Sequence, residues 1–135
     1  MKLWAFHIYV GNSSRYCVRS EIEGFDAKTR AILEARIKYL QISPLNMWNR
    51  PEAAKIVEYN LFEIRFKKVN VQCRPLGNFL NNSKDFVITL ICTKKGSNYE
   101  PKNAFTLASK RLSGISDDGD AYSPLKINGV DYSKI

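Results

Sequence analysis

Histidine and cysteine are scarce in this chain of 135 residues. His7 is the single histidine, and the cysteines are Cys17, Cys73 and Cys92. An odd number of cysteines without metal-ligand spacing disfavours both a zinc framework and a disulfide scaffold. The chain has no GxGxxG loop, and its serines and aspartates lack a second histidine to act as their base. We therefore expect reduced core cysteines and a structural histidine, and we predict no metal ion and no other cofactor.

Long hydrophobic runs are also missing. No run approaches the ~20 apolar residues of a membrane-spanning helix. The N-terminal MKLWAFHIYV carries a charge and lacks the small-residue cleavage site of a signal peptide. Low-complexity tracts and internal repeats are absent, and 44% of the residues are hydrophobic. The expectation is a single cytoplasmic domain with its own core and no membrane segment.

Acidic residues are few relative to basic ones, and the imbalance is local. The chain has 21 Lys and Arg against 13 Asp and Glu, for a net charge of +8. Leu61–Ile115 alone carries +7, whereas the last twenty residues carry −2. A basic surface of this kind suits a polyanion or an acidic protein partner. An ordinary solvated basic face remains the alternative.

Three strands are predicted in the centre of the chain, at Leu61–Lys67, Val71–Phe79 and Phe86–Thr93. The first alternates between apolar and charged residues, which is the period of a half-buried strand. The last is apolar on both faces and is expected in the middle of the sheet. Pro75 cannot donate to a strand ladder, so its strand must bulge or pair on one side only at that point. The alternation puts three residues on the packed side and three on the charged side: Phe62, Ile64 and Phe66, and Glu63, Arg65 and Lys67.

The N-terminal part of the chain predicts a strand and a helix. Leu3–Val10 is rich in aromatic and β-branched residues and is followed by a turn at Gly11–Ser14. Asp26 is a suitable N-cap for a helix that ends before Ser43–Pro44. The apolar face of this helix is formed by residues at helical spacing: Leu33, Ile37 and Leu40.

Two further helices complete the prediction. A short one spans Pro51–Glu58, and a last one begins at Pro101 and ends at Gly114. The fold class is α+β over residues 1–115: strand, two helices, three-stranded antiparallel meander and helix, with the helices on one face of the sheet. Ser116–Ile135 is a polar tail, either a disordered end or an extra strand over its KINGV segment.

Three stretches of the sequence resemble the RelE/ParE superfamily of toxins from bacterial toxin-antitoxin systems. They are LFEIRF, VQCRPLGNF and FVITLICTKKGSNYEPKNAFTLASKR, in this order. The likeness is greatest to the phage-derived, HigB-like branch. It covers Trp4–Ile115, with MWNRP at Met47–Pro51 as a weaker motif. The resemblance implies the RelE-like fold.

The resemblance also implies an activity and a site. Many toxins of this superfamily cut messenger RNA in the ribosome, without metal, by attack of a ribose 2′-hydroxyl on the adjacent phosphate. Arg74 matches the family's strand arginine and Arg65 that of the ElR motif, and arginine can clamp a phosphate through two hydrogen bonds. Lys94 and Lys95 match basic residues that end the last strand. Tyr99 is a candidate for base stacking or for general acid catalysis.

Further basic residues are candidates for RNA binding: Lys67, Lys68, Lys102, Lys110 and Arg111. Each of the site's cations also has a structural alternative, such as pairing of Arg65 with Glu63. The chain departs from the family pattern where Cys73 replaces an aromatic residue before the strand arginine. It departs again at Asn98–Tyr99, which replaces a glycine-lysine-like run.

The leading hypothesis is a type II toxin that acts as a ribosome-dependent endoribonuclease. Its implied partners are the ribosome, messenger RNA and a cognate antitoxin of the helix-turn-helix type. One alternative is a non-catalytic inhibitor of DNA gyrase, like the ParE branch. Another is a non-toxic phage or mobile-element module that binds nucleic acid or protein.

Overall fold

The computed structural model describes residues 1–11 and 15–135, and the predicted turn at Gly11–Ser14 lies mostly outside the described residues. The described part contains an eight-stranded sheet, a two-stranded ribbon and three α-helices. The strands are β1 (Ala5–Tyr9), β2 (Ala53–Ile56), β3 (Leu61–Ile64), β4 (Phe66–Lys68), β5 (Val71–Phe79), β6 (Asp85–Lys95), β7 (Asn98–Glu100), β8 (Tyr122–Pro124), β9 (Lys126–Ile127) and β10 (Val130–Asp131). The helices are α1 (Val18–Gly24), α2 (Ala27–Gln41) and α3 (Ala104–Asp118), with short 3-10 turns at Leu45–Met47 and Val57–Tyr59.

The sheet order is β2-β3-β5-β6-β1-β8, with β4 pairing with β5 and β7 pairing with β6. β1 runs parallel to β6, and the other pairs are antiparallel. The predicted α+β class and the antiparallel meander are confirmed. The central position of β6 is also confirmed, since Phe86–Cys92 is buried on both faces. Among the described residues, no helix is long and apolar enough to cross a membrane.

The helices cover both faces of the sheet, so the prediction of a single covered face is wrong. On one face Phe66 and Cys73 pack with Leu33 of α2. On the opposite face Leu76 packs with Ala104 of α3. The reason is the double-sided apolar character of β6, which needs cover on both sides.

A break in the sheet separates β3 from β4 next to Pro75. Pro75 pairs with Ile91 of β6. On the other side of β5, pairing with β3 ends at Leu76, and pairing with β4 begins at Cys73. The predicted one-sided pairing of Pro75 is thus confirmed. Arg65 lies in the break, and its backbone N–H donates instead to the Glu52 carbonyl at 3.0 Å.

A β-bulge lies one step further along β5. Leu76 pairs with Leu90 and Gly77 with Ile88, so Thr89 of β6 is the extra residue. A Cβ at Gly77 would come within 1.9 Å of the Val87 carbonyl oxygen, which explains glycine at this close approach.

The predicted helix over Pro51–Glu58 is wrong. Ala53–Ile56 forms β2 and pairs with β3, from Ala53 opposite Ile64 to Ile56 opposite Leu61. Asn60, with φ of 51°, closes the hairpin. The segment is short, and its apolar side chains gain more from pairing with β3 than from a helical face. Conversely, helix α1 at Val18–Gly24 has no counterpart in the prediction.

The C-terminal segment is folded, in agreement with the extra-strand alternative and not with a disordered end. α3 continues through Gly114 and ends at Gly119, with φ of 70°, so the predicted end at Gly114 is wrong. β9 and β10 pair as a hairpin. Leu125 and Tyr132 are buried in the core, and both bond to the backbone of Phe6 in β1.

Candidate functional site: a cationic cleft beside the sheet

A row of side chains crosses four strands in register at the end of the sheet. Lys67 of β4 pairs with Gln72 of β5, Gln72 with Lys94 of β6, and Lys94 with Tyr99 of β7. Directly opposed residues of antiparallel strands share one face. Alternation along β5 puts this face on the side covered by α3, because Leu76 packs there. We call these four residues the polar row.

A cleft of about 360 Å³ opens beside the polar row. Four of its lining residues are cationic: Arg36, Arg65, Lys67 and Arg74. The remainder of the lining is formed by Pro51, Phe66 and Gln72. We call this the cationic cleft. It contains both arginines that the sequence singled out, together with one predicted RNA-binding lysine.

Arg74, a candidate for clamping a phosphate, is buried. It is 3% exposed and forms an ion pair with Glu63 of β3, which is 2% exposed. Its guanidinium also donates to the Gln72 side-chain oxygen, and to the Cys73 carbonyl at 3.4 Å. The expectation that Glu63 faces solvent is wrong for the same reason: it lies under the cleft as the counter-ion of Arg74.

Arg65 and Lys67 are the cleft's accessible cations on the sheet, and Arg36 is an accessible cation from α2. The Arg65 side chain is 23% exposed, and its Nη1 lies 3.9 Å from Glu63 Oε1. Lys67 is exposed. At 3.9 Å the contact with Glu63 is an ion pair without hydrogen-bond geometry, so Arg65 keeps donors for a ligand. The predicted pairing of Arg65 with Glu63 is therefore present, but the shorter contact to this carboxylate belongs to Arg74.

Arg36 and Glu52 were not singled out from the sequence. Arg36 projects from α2 into the cleft, and its Nη1 lies 3.8 Å from Glu52 Oε2. Both side chains are about a quarter exposed, at 26% and 23%. No local pattern marks them, because Arg36 is one of several charged residues on α2. The two side chains meet because the folded chain brings Pro51 and Glu52, which precede β2, next to Arg36 of α2.

Tyr99 and Lys94 lie together at the far end of the polar row. Lys94 Nζ lies 5.3 Å from the centroid of the Tyr99 ring. Burial raises the pKa of Tyr99, and the negative charge of Glu63 adds to the effect. The phenol therefore keeps its proton at neutral pH. Tyr99 is held in a strand, since Asn98–Glu100 forms β7.

Lys95 and Lys102 face a second hollow and do not line the cationic cleft. This hollow of about 460 Å³ is lined by Lys95, Lys102 and four neighbours: Thr93, Asn98, Tyr99 and Glu100. Tyr99 therefore borders this hollow and also belongs to the polar row. Lys68 is separate again, with its Nζ 5.3 Å from the centroid of the Phe25 ring.

Arg111, a candidate for RNA binding, is buried in the folded chain. It is 6% exposed. Its guanidinium donates to the carbonyls of Arg15, Tyr16 and Thr89 at 2.7 to 2.9 Å. These bonds join α3 to the β-bulge and to the segment before α1. Lys110, its neighbour on α3, is exposed as expected.

The histidine and the three cysteines do not line the cationic cleft. His7 Nε2 is 3.0 Å from Asp85 Oδ1, which fits the expected structural role. All three cysteines are free, and Cys73 and Cys92 are buried. Within residues 1–11 and 15–135, no group of three or more His, Cys, Asp or Glu side chains is arranged to hold a metal ion.

No protein-family model, no curated protein and no solved structure matches this chain.

Proposed function

We propose that this protein is a type II toxin with the RelE-like fold that acts in the cytoplasm as a metal-independent, ribosome-dependent endoribonuclease on messenger RNA. The observation that carries the proposal is the cationic cleft. Three accessible cations, Arg36, Arg65 and Lys67, lie in one cleft, and the polar row leads from Lys67 to a protonated tyrosine. This set supplies phosphate-binding cations in the cleft and a proton donor at the far end of the polar row.

The phosphate groups of RNA fit the accessible cations. Arg65 presents a planar fork that matches two phosphate oxygens, and Lys67 adds a point charge. Arg74 acts as a positioning residue. It donates to the Gln72 side-chain oxygen, which leaves the amide nitrogen of Gln72 free to donate to a ligand in the cleft.

We assign proton transfer to Glu52, which pairs with Arg36 of the cleft, and to Tyr99, at the far end of the polar row. The Glu52 carboxylate is partly exposed, unlike Glu63, and accepts the proton of the attacking 2′-hydroxyl. The 2′ oxygen bonds to phosphorus while the bond from phosphorus to the 5′ oxygen breaks. Tyr99 donates its phenolic proton to that leaving oxygen. The products are a 2′,3′-cyclic phosphate and a free 5′-hydroxyl.

The test is cleavage of messenger RNA on purified ribosomes, with the RNA ends mapped by primer extension. Arg65→Ala should reduce cleavage by about 10²-fold or more, the usual cost of removing one group that stabilises a developing charge. Lys38→Ala is the matched control, since Lys38 is an exposed cation on α2 outside the cleft. It should cleave like the parent protein. Circular dichroism confirms that both variants are folded.

Induced expression in a bacterium, with separate readouts of translation, RNA ends and supercoiling, addresses the alternative functions. Induced expression of a folded protein that leaves translation intact and produces no new RNA ends would contradict the proposal. Loss of supercoiling without RNA cleavage would instead indicate a gyrase inhibitor. The proposed partner is an antitoxin with an acidic or amphipathic segment, because the basic region Leu61–Ile115 repels itself when it is uncovered.

A further inference from the structure

Three aromatic rings form a continuous line next to the polar row. The ring centroids of Tyr99 and Phe105 are 4.8 Å apart, and those of Phe105 and Tyr59 are 5.5 Å apart. We call these three residues the aromatic row. They come from three separate places in the chain: β7, the first turn of α3 and the 3-10 turn before β3.

The aromatic row lies at the rim of the core, where its rings can be reached from solvent. Tyr99 and Phe105 are partly buried against the cluster beneath α3. Tyr59 is 39% exposed, and the neighbouring Val57 is 75% exposed. Such exposure leaves apolar surface uncovered at the end of the row. Packing the core therefore accounts for only part of this arrangement.

Tyr99 belongs to both rows, so cations and aromatic rings form one surface. Lys94 stands over the Tyr99 ring, and the next members of the polar row are Gln72 and Lys67. A ligand bound along this surface meets positive charge on one side and ring faces on the other. Single-stranded nucleic acid has this composition, since phosphates alternate along it with flat bases that are free to stack.

We propose that the aromatic row binds unpaired bases of an RNA whose backbone lies in the cationic cleft. Tyr59 and Phe105 thereby select single-stranded RNA over duplex RNA, in which paired bases are not available for stacking. This inference rests on the proposed function and adds to it two residues that determine the substrate class. Stacking of this kind tolerates any base, so the row contributes affinity without strict sequence preference.

The test is the binding of short RNAs, followed by fluorescence anisotropy. Three probes are used: a single-stranded oligoribonucleotide, the same backbone with abasic sites, and a duplex. Tyr59→Leu and Phe105→Leu keep an apolar side chain and remove the ring. Each should weaken binding of the single strand about tenfold, within the range for loss of one base-stacking contact. Neither should change binding of the abasic strand.

Tyr39→Leu is the matched control, because Tyr39 is a tyrosine of similar exposure, 36%, on α2. It should bind all three probes like the parent protein, and urea unfolding shows that each variant is folded. Folded variants that bind the single strand as tightly as the parent would overturn the role of the aromatic row. An equal loss of affinity for the abasic strand would also overturn the role of the aromatic row.

Failure of this inference can be told apart from failure of the proposed function. If the parent protein cleaves messenger RNA and the Tyr59 and Phe105 variants bind and cleave RNA equally well, only the proposed role of the aromatic row is refuted. If the parent protein binds none of the three probes and leaves ribosome-bound RNA intact, both proposals are refuted.

Discussion

Replacing Arg74 should destabilise the protein, because the substitution leaves a carboxylate buried without its partner. Glu63 and Arg74 are each 3% exposed at the side chain. Removing one member of a buried ion pair costs about 3–5 kcal/mol. Arg65 remains 3.9 Å from the same carboxylate oxygen and offsets part of the loss. We therefore expect a cost near the lower limit, about 3 kcal/mol, for Arg74→Ala.

A loss of this size is large for a domain whose unfolding free energy is typically about 5–15 kcal/mol. It corresponds to a decrease in Tm of about 10 °C for a chain of this length. Urea unfolding provides the assay, with an expected shift in midpoint of about 1–3 M. Arg65→Ala is the comparison. Its side chain is 23% exposed, and loss of a partly exposed pair costs no more than ~1 kcal/mol.

A double-mutant cycle isolates the contribution of the pair. Glu63→Leu and Arg74→Met should each destabilise the protein, whereas the double variant should recover most of the stability. An apolar pair of similar volume often replaces a buried ion pair without loss. The expected coupling energy is about 2 kcal/mol or more. Additive effects, or an Arg74→Ala variant within ~0.5 kcal/mol of the parent, would refute the inferred burial of this pair.

Three further predictions concern the core and its titrating groups. Leu125→Ala should cost about 2–5 kcal/mol by urea unfolding, because Leu125 is 0% exposed; a negligible cost would mean that the C-terminal segment is not packed as described. Iodoacetamide should modify Cys17 first at neutral pH, because hydrogen bonding lowers the pKa of this thiol. Burial raises the pKa of Cys73 and raises that of Cys92 to about 12. Peptide mass spectrometry identifies the alkylated residue. Burial and a hydrogen bond to a carboxylate raise the pKa of Tyr132 above its usual value of 10.0. The contribution of Tyr132 to the free energy of unfolding is therefore complete below pH 10.0 and is lost as the pH rises towards the raised pKa. Tyr132→Phe should remove that alkaline loss, and an unchanged profile of unfolding free energy against pH would contradict the assignment.

Elements with a long and regular residue pattern could be predicted from the sequence. The meander, the central position of β6 and the helix after Asp26 were all predicted from period and capping. Asp26 does accept a hydrogen bond from the Thr29 N–H, at 2.8 Å. The interruption at Pro75 was also predictable, because a missing N–H is a property of the residue itself. Three of the four cations in the cleft, Arg65, Lys67 and Arg74, were predicted from the sequence as candidate site residues.

Only the tertiary structure decided what happens where neighbouring elements meet. Pro51–Glu58 has a spacing that fits a short helix, but it becomes a strand because β3 offers an edge to pair with. Arg36 enters the cleft from a helix whose sequence does not mark it. The last twenty residues look like a polar tail, yet Tyr132 accepts one backbone hydrogen bond from Phe6 of β1 and packs its ring in the core.

The burial of the central charges shows the physical reason most directly. Alternation correctly puts Glu63, Arg65 and Lys67 on one face of the strand, since the period of two is a local property of the backbone. How much of that face meets water depends on distant parts of the chain. On that face α3 and Tyr99 pack with Leu61 and Leu76, and Glu63 and Arg74 are buried beside those leucines, while Lys67 is exposed at the open end. Local pattern therefore determined which side each charge faces, and tertiary packing decided which charges pair and which remain free to bind a ligand.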